Sequence, residues 1–391
     1  MVNVPTVTAY TLATALGTGR ECAREALWAG RSGLAPLASG EAGFEAWYGH
    51  VPGLADVALP AAYADFECRN NRLALQVLET DGFAGRARAA LGRYGAHRVG
   101  VFLGTSTSGI AQTEAAYARR DGSGLPGDYR FHETHELGAL SRFVAAYLGV
   151  TGPVHTISTA CSSSAKVFGA AQRYMAAGLC DAAIVGGVDS FCLTTLYGFN
   201  SLELISRQPC RPWGANRDGI SIGEAGGFAL LEPHGTGPEL LACAESSDAY
   251  HISAPHPDGA GARVAMEQAL ERASLPAREV DYINLHGTGT PANDAAEDRA
   301  VTAVFGDAVG CSSTKGLTGH TLGAAGIVEA LFCCLALDDG FIPGGVTEAE
   351  RDPALRAHFV TRSRSADVRR AVSLSLGFGG SNCCLVLGRP A

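Results

Sequence analysis

Four residues of this chain combine reactive side chains with places where an α/β protein gathers its chemistry: Cys161, His286, Lys315 and His320. Cys161 stands in Val154-His155-Thr156-Ile157-Ser158-Thr159-Ala160-Cys161-Ser162-Ser163-Ser164-Ala165, which reads as a β-branched strand, a stop at small residues and then a helix running through Ala170 and Met175 to Gly178. The first turn of a helix has unpaired N–H groups and a partial positive charge. A thiol at that join is expected to have its thiolate favoured and its pKa lowered. The small neighbours leave room for a substrate to reach the sulfur. A free cysteine is also commonly a small buried hydrophobe, and this stretch alone leaves both readings open. His286 ends a strand over 280–285 and opens His286-Gly287-Thr288-Gly289-Thr290-Pro291. Lys315 and His320 bracket Lys315-Gly316-Leu317-Thr318-Gly319-His320, ahead of a long Ala/Gly-rich helix over about 322–337. A soft sulfur nucleophile can take up an acyl group and later release it. Two imidazoles can hold an oxyanion or enolate as it develops. The combination points to acyl-thioester chemistry. Lys315 would set the local field. Gly377-Phe378-Gly379-Gly380 offers a backbone N–H to an oxyanion, or is only a turn.

Phe131-His132-Glu133-Thr134-His135 resembles a zinc motif only at first sight. The second histidine comes three residues after the first, not the four that a helical zinc site needs. No other His, Cys and Asp cluster has ligand spacing, so no catalytic metal is expected. The chain has 391 residues, 47% of them hydrophobic, which is ample for a large core. A net charge of −9 argues against a nucleic-acid surface. Its 12 cysteines include no C-x-x-C pair, and no secretory leader precedes them, so a reduced, cytoplasmic protein is expected. No uncharged apolar run is long enough to span a bilayer.

Strands and helices alternate along the whole chain. A strand over 7–16 is followed by a helix over 20–28. Arg69 and Arg72 open a helix and read as a solvated face. A buried strand over 98–103 runs into the small-residue loop Gly104-Thr105-Ser106-Thr107-Ser108-Gly109. After the Cys161 helix, Asp181-Ala182-Ala183-Ile184-Val185 reads as a core strand ended by Gly186-Gly187. The pattern then restarts, with strands over 239–247, 280–285 and 371–376 and helices over 261–273, 295–305 and 322–337. Each half has a strand leading to a small-residue helix start, at Cys161 and near His320, and an apolar strand closed by Gly-Gly. The halves divide at 1–235 and 236–391 and suggest an internal duplication. Alternating elements imply α/β layers around buried sheets.

Four motifs, in this order, carry a resemblance: Thr159-Ala160-Cys161-Ser162-Ser163; His286-Gly287-Thr288-Gly289-Thr290; Lys315 through Gly326; and Gly377-Phe378-Gly379-Gly380-Ser381-Asn382. Together they resemble the β-ketoacyl-[acyl-carrier-protein] synthases of the elongating, Cys-His-His type, over essentially the whole chain. The resemblance implies the thiolase fold, two βαβαβαββ halves in five α-β-α-β-α layers. It implies a decarboxylative Claisen condensation in which Cys161 carries the acyl chain. His286 and His320 would stabilise the enolate of a malonyl-carrier thioester. The N–H groups of Cys161 and Phe378 would form an oxyanion hole, and Phe378 would gate the acyl pocket. Lys315 and Glu329 would organise the His320 side. Thr288 and Thr290 would hold the phosphopantetheine arm, Gly379 would bind substrate, and Thr107 would lie at the floor of the acyl pocket. By the same resemblance no organic cofactor is needed, Arg69, Arg72, Arg119 and Arg120 would dock the acyl carrier protein, and the chain would form a homodimer or a heterodimer with a chain-length factor. Cys161-Ser162-Ser163-Ser164-Ala165-Lys166 looks more like aryl-polyene and type II polyketide synthases than housekeeping fatty-acid enzymes. The alternative is a non-catalytic chain-length partner, which predicts that Cys161→Ala changes nothing. A thiolase or a CoA-primed synthase fits less well, because the Lys315 to His320 stretch argues against both.

Overall fold

A computed structural model describes residues 4–37, 42–345 and 351–390. Ten strands form the path of one mixed sheet: β1 Thr6–Thr14, β2 Val99–Gly104, β3 Val154–Ile157, β4 Ala182–Asp189, β5 Ala225–Glu232, β6 Glu239–Ser247, β7 Tyr282–Asn284, β8 Gly310–Ser312, β9 Arg370–Gly377 and β10 Ser381–Gly388. Their order is β8-β7-β9-β10-β6-β1-β5-β4-β2-β3, with Gly17–Thr18 added beside β1. From the centre outward, each half places its first, fifth, fourth, second and third strand. The two inner pairings are antiparallel and the two outer ones parallel in both halves. The halves meet at β1 and β6 through the single register pair Thr6↔Glu239. That narrow join lets the sheet fold into two layers.

The parallel strands need crossover helices. Helices Arg69–Leu78, Phe83–Tyr94 and Gly138–Leu148 cover the outer face of the first half. Ala260–Arg272 and Pro291–Phe305 cover the outer face of the second. Between the halves lie Ser163–Ala176 and Ala325–Asp339, each packed on both sheets. Every residue of the second helix from Ala325 to Leu337 is buried. This gives the five α-β-α-β-α layers.

Two sequence expectations need correction. Gly186 and Gly187 do not end their strand, which runs on to Asp189. Gly187 is a glycine because the layers touch there, whereas a Cβ on Gly186 would run into Gly227 O and the Phe228 ring of the neighbouring strand. A Cβ on Gly187 would lie 2.6 Å from the Ser164 Cβ, and one on Gly104 would lie 2.4 Å from the Ser164 nitrogen. The helix expected to begin near residue 322 begins at Ala325, after a one-turn 3-10 segment Leu322–Ala324. Leu322 has φ +55°, a conformation that L residues adopt only at a cost of about 1–2 kcal/mol. The bend turns the chain between His320 and the helix.

Candidate active site

Cys161 follows β3 and directly precedes the central helix, whose N-cap is Ser162. Ala160 before it has φ +52°, so the chain makes a sharp elbow that presents the thiol. The small side chains allow this elbow: Ser163 Oγ donates to Ala160 O at 2.5 Å and receives the Thr159 N–H at 2.9 Å. The thiol does not have the lowered pKa expected from a helix start. Burial pushes it up to about 12, while Lys315 and the Phe378 N–H pull the other way. Desolvation outweighs the helix end because the sulfur is enclosed. The resting nucleophile is therefore a thiol.

His286 leaves the end of β7, and His320 follows the short helix Lys315–Thr318. Their rings sit edge to face, with centroids 5.3 Å apart. The reactive atoms of Cys161, His286 and His320 all lie within 4.8 Å of one another. His320 Nδ1 accepts the Leu322 N–H at 3.1 Å. Its neutral tautomer therefore carries the proton on Nε2. His286 Nδ1 lies 3.4 Å from the Lys315 ammonium, which also donates to His286 O at 2.5 Å. An ammonium only donates, so His286 too exposes an Nε2–H. Burial first, and then the Lys315 charge, hold both imidazoles well below their ordinary pKa. Lys315 is buried and ion-paired with Glu329. Burial raises Glu329 to about 7 against the pull of Lys315.

The three residues line a cavity of about 360 Å³ together with Thr288, Thr290, Leu202 and Phe378. Its lining is mostly apolar. Thr288 and Thr290 hydroxyls lie 3.0 Å apart, and Thr290 caps the helix Pro291–Phe305 by accepting the Asn293 N–H. That helix therefore starts four residues before the expected 295. Phe378 packs against Phe199, their ring centroids 5.5 Å apart, across the cavity wall.

The β-ketoacyl synthase N-terminal domain model matches residues 71–236, and the C-terminal domain model matches residues 238–347. The chain belongs to the β-ketoacyl synthase family. A 3-oxoacyl-[acyl-carrier-protein] synthase 2 of Rhizobium meliloti (strain 1021) is 36% identical over 315 residues, 74% of each chain. The mitochondrial 3-oxoacyl-[acyl-carrier-protein] synthase of Arabidopsis thaliana is 37% identical over 269 residues, covering 63% of this chain and 58% of that one. A chain from the complex of the ketosynthase ApeO with its chain length factor ApeC, from Xenorhabdus doucetiae, superposes with a TM-score of 0.93 at 37% identity, covering 99% of this chain and 98% of that one. A β-ketoacyl synthase from Burkholderia phymatum STM815 superposes at 0.87 with 25% identity over the full length of both. The fold is the thiolase fold of these ketosynthases, as the motifs imply.

The other expected site residues of this β-ketoacyl synthase lie outside the lining of the Cys161 cavity. Thr107 is buried and does not line the Cys161 cavity. Its hydroxyl donates to Asp189 at 2.7 Å and accepts the Ser190 N–H at 3.2 Å, and it borders a second cavity with Phe131 and His135. Gly379 donates its N–H to Ile252 O at 2.7 Å and stands outside the cavity lining. Arg69 does not lie on a solvated face. It pairs in two-pronged fashion with the buried Glu224, at 2.9 and 2.7 Å. Burial would raise Glu224, but His50, Arg69 and the Phe191 N–H hold it at about 2. Arg72 pairs with Glu67, and Arg119 pairs with Asp128 at 3.1 Å on an exposed surface. Arg120 stacks over Tyr117 at 5.8 Å.

Sequence reasoning missed two buried carboxylates. Glu297 accepts the N–H groups of His286 and Gly287 at 2.6 and 2.7 Å. Asp189, at the end of β4, gathers the loop 105–107. An acid at 297, three residues before Ala300 and four before Val301 on the buried face of a helix, was a usable signal. Asp189 had none, because strand ends commonly carry acids. Among the described residues no helix is long and apolar enough to cross a membrane.

Proposed function

We propose that this chain condenses an acyl group with malonyl-acyl carrier protein to give the 3-oxoacyl carrier thioester. The observation that carries the reading is the convergence of one thiol and one ring nitrogen from each of two histidines, all within 4.8 Å of one another, in the lining of a mostly apolar cavity. In the first step the Cys161 sulfur attacks an acyl-carrier thioester, and its proton leaves on the carrier's phosphopantetheine thiol, so the exchange is balanced. The N–H of Phe378, which already donates to the sulfur, would hold the oxygen of the tetrahedral intermediate together with the Cys161 N–H. In the second step malonyl carrier enters past Thr288 and Thr290. The two Nε2–H groups hold its thioester oxygen while carbon dioxide leaves, and the resulting enolate carbon attacks the acyl carbonyl. The Cys161 thiolate is expelled and takes a proton from water. Because both rings are neutral donors, they stabilise negative charge without consuming a proton.

The arm is taken to belong to an acyl carrier protein, as the names of the curated relatives state for them. A second ketosynthase-like chain, identical or a chain-length factor, is the expected partner, as in the ApeO–ApeC complex. Chain extension of the aryl-polyene or type II polyketide kind is favoured over fatty-acid elongation by that likeness and by the Ser162 to Lys166 stretch. The enzyme class is an elongating acyltransferase.

The test is the intact mass of the carrier after incubation with malonyl carrier, an acyl-carrier donor and the protein, wild type beside Cys161→Ala, with saturated and aryl-unsaturated donors. The expected result is a carrier bearing the decarboxylated, condensed product with wild type only, and preference for the unsaturated donor. Condensation that survives Cys161→Ala overturns the mechanism.

A further inference from the structure

Asp189 is fully buried and accepts five hydrogen bonds. Its Oδ1 takes the Thr105 hydroxyl at 2.7 Å, the Ser106 N–H at 2.8 Å, and the Thr107 N–H and hydroxyl at 2.7 Å each. Its Oδ2 takes the Ala324 N–H at 3.0 Å, which that group shares with Thr321 O. The two oxygens thus serve different segments. One holds the loop that borders the cavity beside Phe131 and His135. The other holds the 3-10 turn Leu322–Ala324, whose first N–H fixes the His320 ring at Nδ1. The contact between the segments is tight. A Cβ on Gly323 would come within 2.6 Å of Ser106 Oγ and 2.8 Å of Asp189 Oδ2. With the non-glycine Leu322 at φ +55°, the turn keeps its shape only while something holds it from outside.

We propose that Asp189 is a positioning residue for His320, joining the Thr105–Thr107 loop to the turn that aims the imidazole at the malonyl thioester. The proposal rests on the condensing reading above. Asp189 touches neither substrate nor sulfur, and it acts through Ala324 and Leu322. The loop 105–107 and the His320 ring then share one anchor, so a change in the loop is felt at the ring.

Asp189→Asn separates the two ends. The amide keeps an oxygen for the side with four donors and turns its NH₂ toward the Ala324 N–H, where donor meets donor, because the opposite orientation loses four bonds instead of one. The variant therefore releases the His320 turn and keeps the loop. Gly323→Ala acts on the same contact with Asp189 intact, its Cβ pressing on Asp189 Oδ2 and on Ser106 of the loop. Two half-reactions are measured separately: transfer of an acyl group from acyl carrier to Cys161, read as added mass on the protein, and release of carbon dioxide from malonyl carrier. Both variants are expected to acylate as wild type does and to lose roughly tenfold or more in decarboxylation kcat, with KM for malonyl carrier unchanged. A merely structural role would lower both half-reactions together, and that result, or no loss in either, overturns the proposal. If Asp189→Asn does not fold, Gly323→Ala alone decides it. Failure of the wild type to acylate or to release carbon dioxide would instead count against the condensing reading itself.

Discussion

At Cys161, burial and the helix start pull in opposite directions, and burial wins. It pushes the thiol pKa up to about 12, so the resting sulfur keeps its proton until it attacks. A free-thiolate probe should show it. Alkylation of Cys161 by iodoacetamide should rise steadily with pH beyond 9 and show no plateau between about 6 and 8, as a low-pKa thiol would. The histidines behave in the opposite sense. Their pKa values are lowered by burial and then by Lys315, so protonation requires acid well below the ordinary value. A second proton on His320 would also face the Leu322 N–H and turn the ring away. Wild-type decarboxylation should therefore be flat from about pH 8 down to about 6. Lys315→Met removes one of the charges that depress both rings, so both pKa values rise and the acid limb moves to higher pH. Glu329, already near 7, is left to take a proton. A pH–rate profile of carbon dioxide release checks the shift, and an unmoved acid limb would show that the Lys315 charge does not set it.

Among the elements, the helix Arg69–Leu78 illustrates how a surface reading can fail. Two arginines on an exposed helix start suggest a carrier-docking face, and Arg72 remains at the surface. Arg69 instead reaches Glu224, whose side chain is 0% exposed. Arg69→Ala leaves that carboxylate buried without its guanidinium and should cost roughly 3 kcal/mol, read as a lower urea midpoint, while KM for the carrier in the folded fraction stays put. Arg119→Ala with Arg120→Ala changes only exposed groups, and should leave the midpoint unchanged while raising carrier KM if this face docks. An unchanged KM removes it from the docking surface. The Glu224 pKa is depressed, from 4.5 to about 2, so its stabilisation is complete above about pH 4.5 and is lost as pH falls toward 2. The gap between wild type and Arg69→Ala should narrow across that window. The strand-to-helix joins at Cys161 and His320 were legible because small residues mark a close approach. The inward turn of Arg69 was not legible, because Glu224 is 155 residues away in sequence. Thr107 was legible as part of a small-residue loop, but its partner Asp189 was not, since nothing local says which oxygen will meet which loop.

At the scale of the whole molecule, the duplication was legible as two repeats of strand, small-residue turn and Ala/Gly-rich helix. Those two helices are the ones that lie back to back between the halves. Gly326 shows how closely they meet, since a Cβ there would lie 2.4 Å from the Ala165 nitrogen. The strand order is set by long-range pairing and could not be read from local pattern. It leaves β3 at one end of the sheet, pairing among the described residues only with β2. An edge like this offers unpaired backbone groups to a further strand. The carbonyl of Pro153 accepts the Val101 N–H of β2 and that of Ile157 accepts the Thr105 N–H just beyond it, so alternation along the strand turns the N–H and C=O of Thr156 outward. A second ketosynthase-like chain that added to this edge would lie close to the thiol, because β3 runs within a few residues into the Cys161 elbow. Thr156→Pro removes an outward N–H and keeps the φ of an edge strand tolerable. It also gives up the 2.7 Å contact between the Thr156 and Ser141 hydroxyls, a small loss. The single chain should therefore still fold, with unchanged far-ultraviolet dichroism. Its mass by light scattering should fall to one chain, and acylation of Cys161 should slow because the elbow loses its support. If the variant stays paired at full mass, the partner uses another face, and the support of Cys161 must come from within the chain.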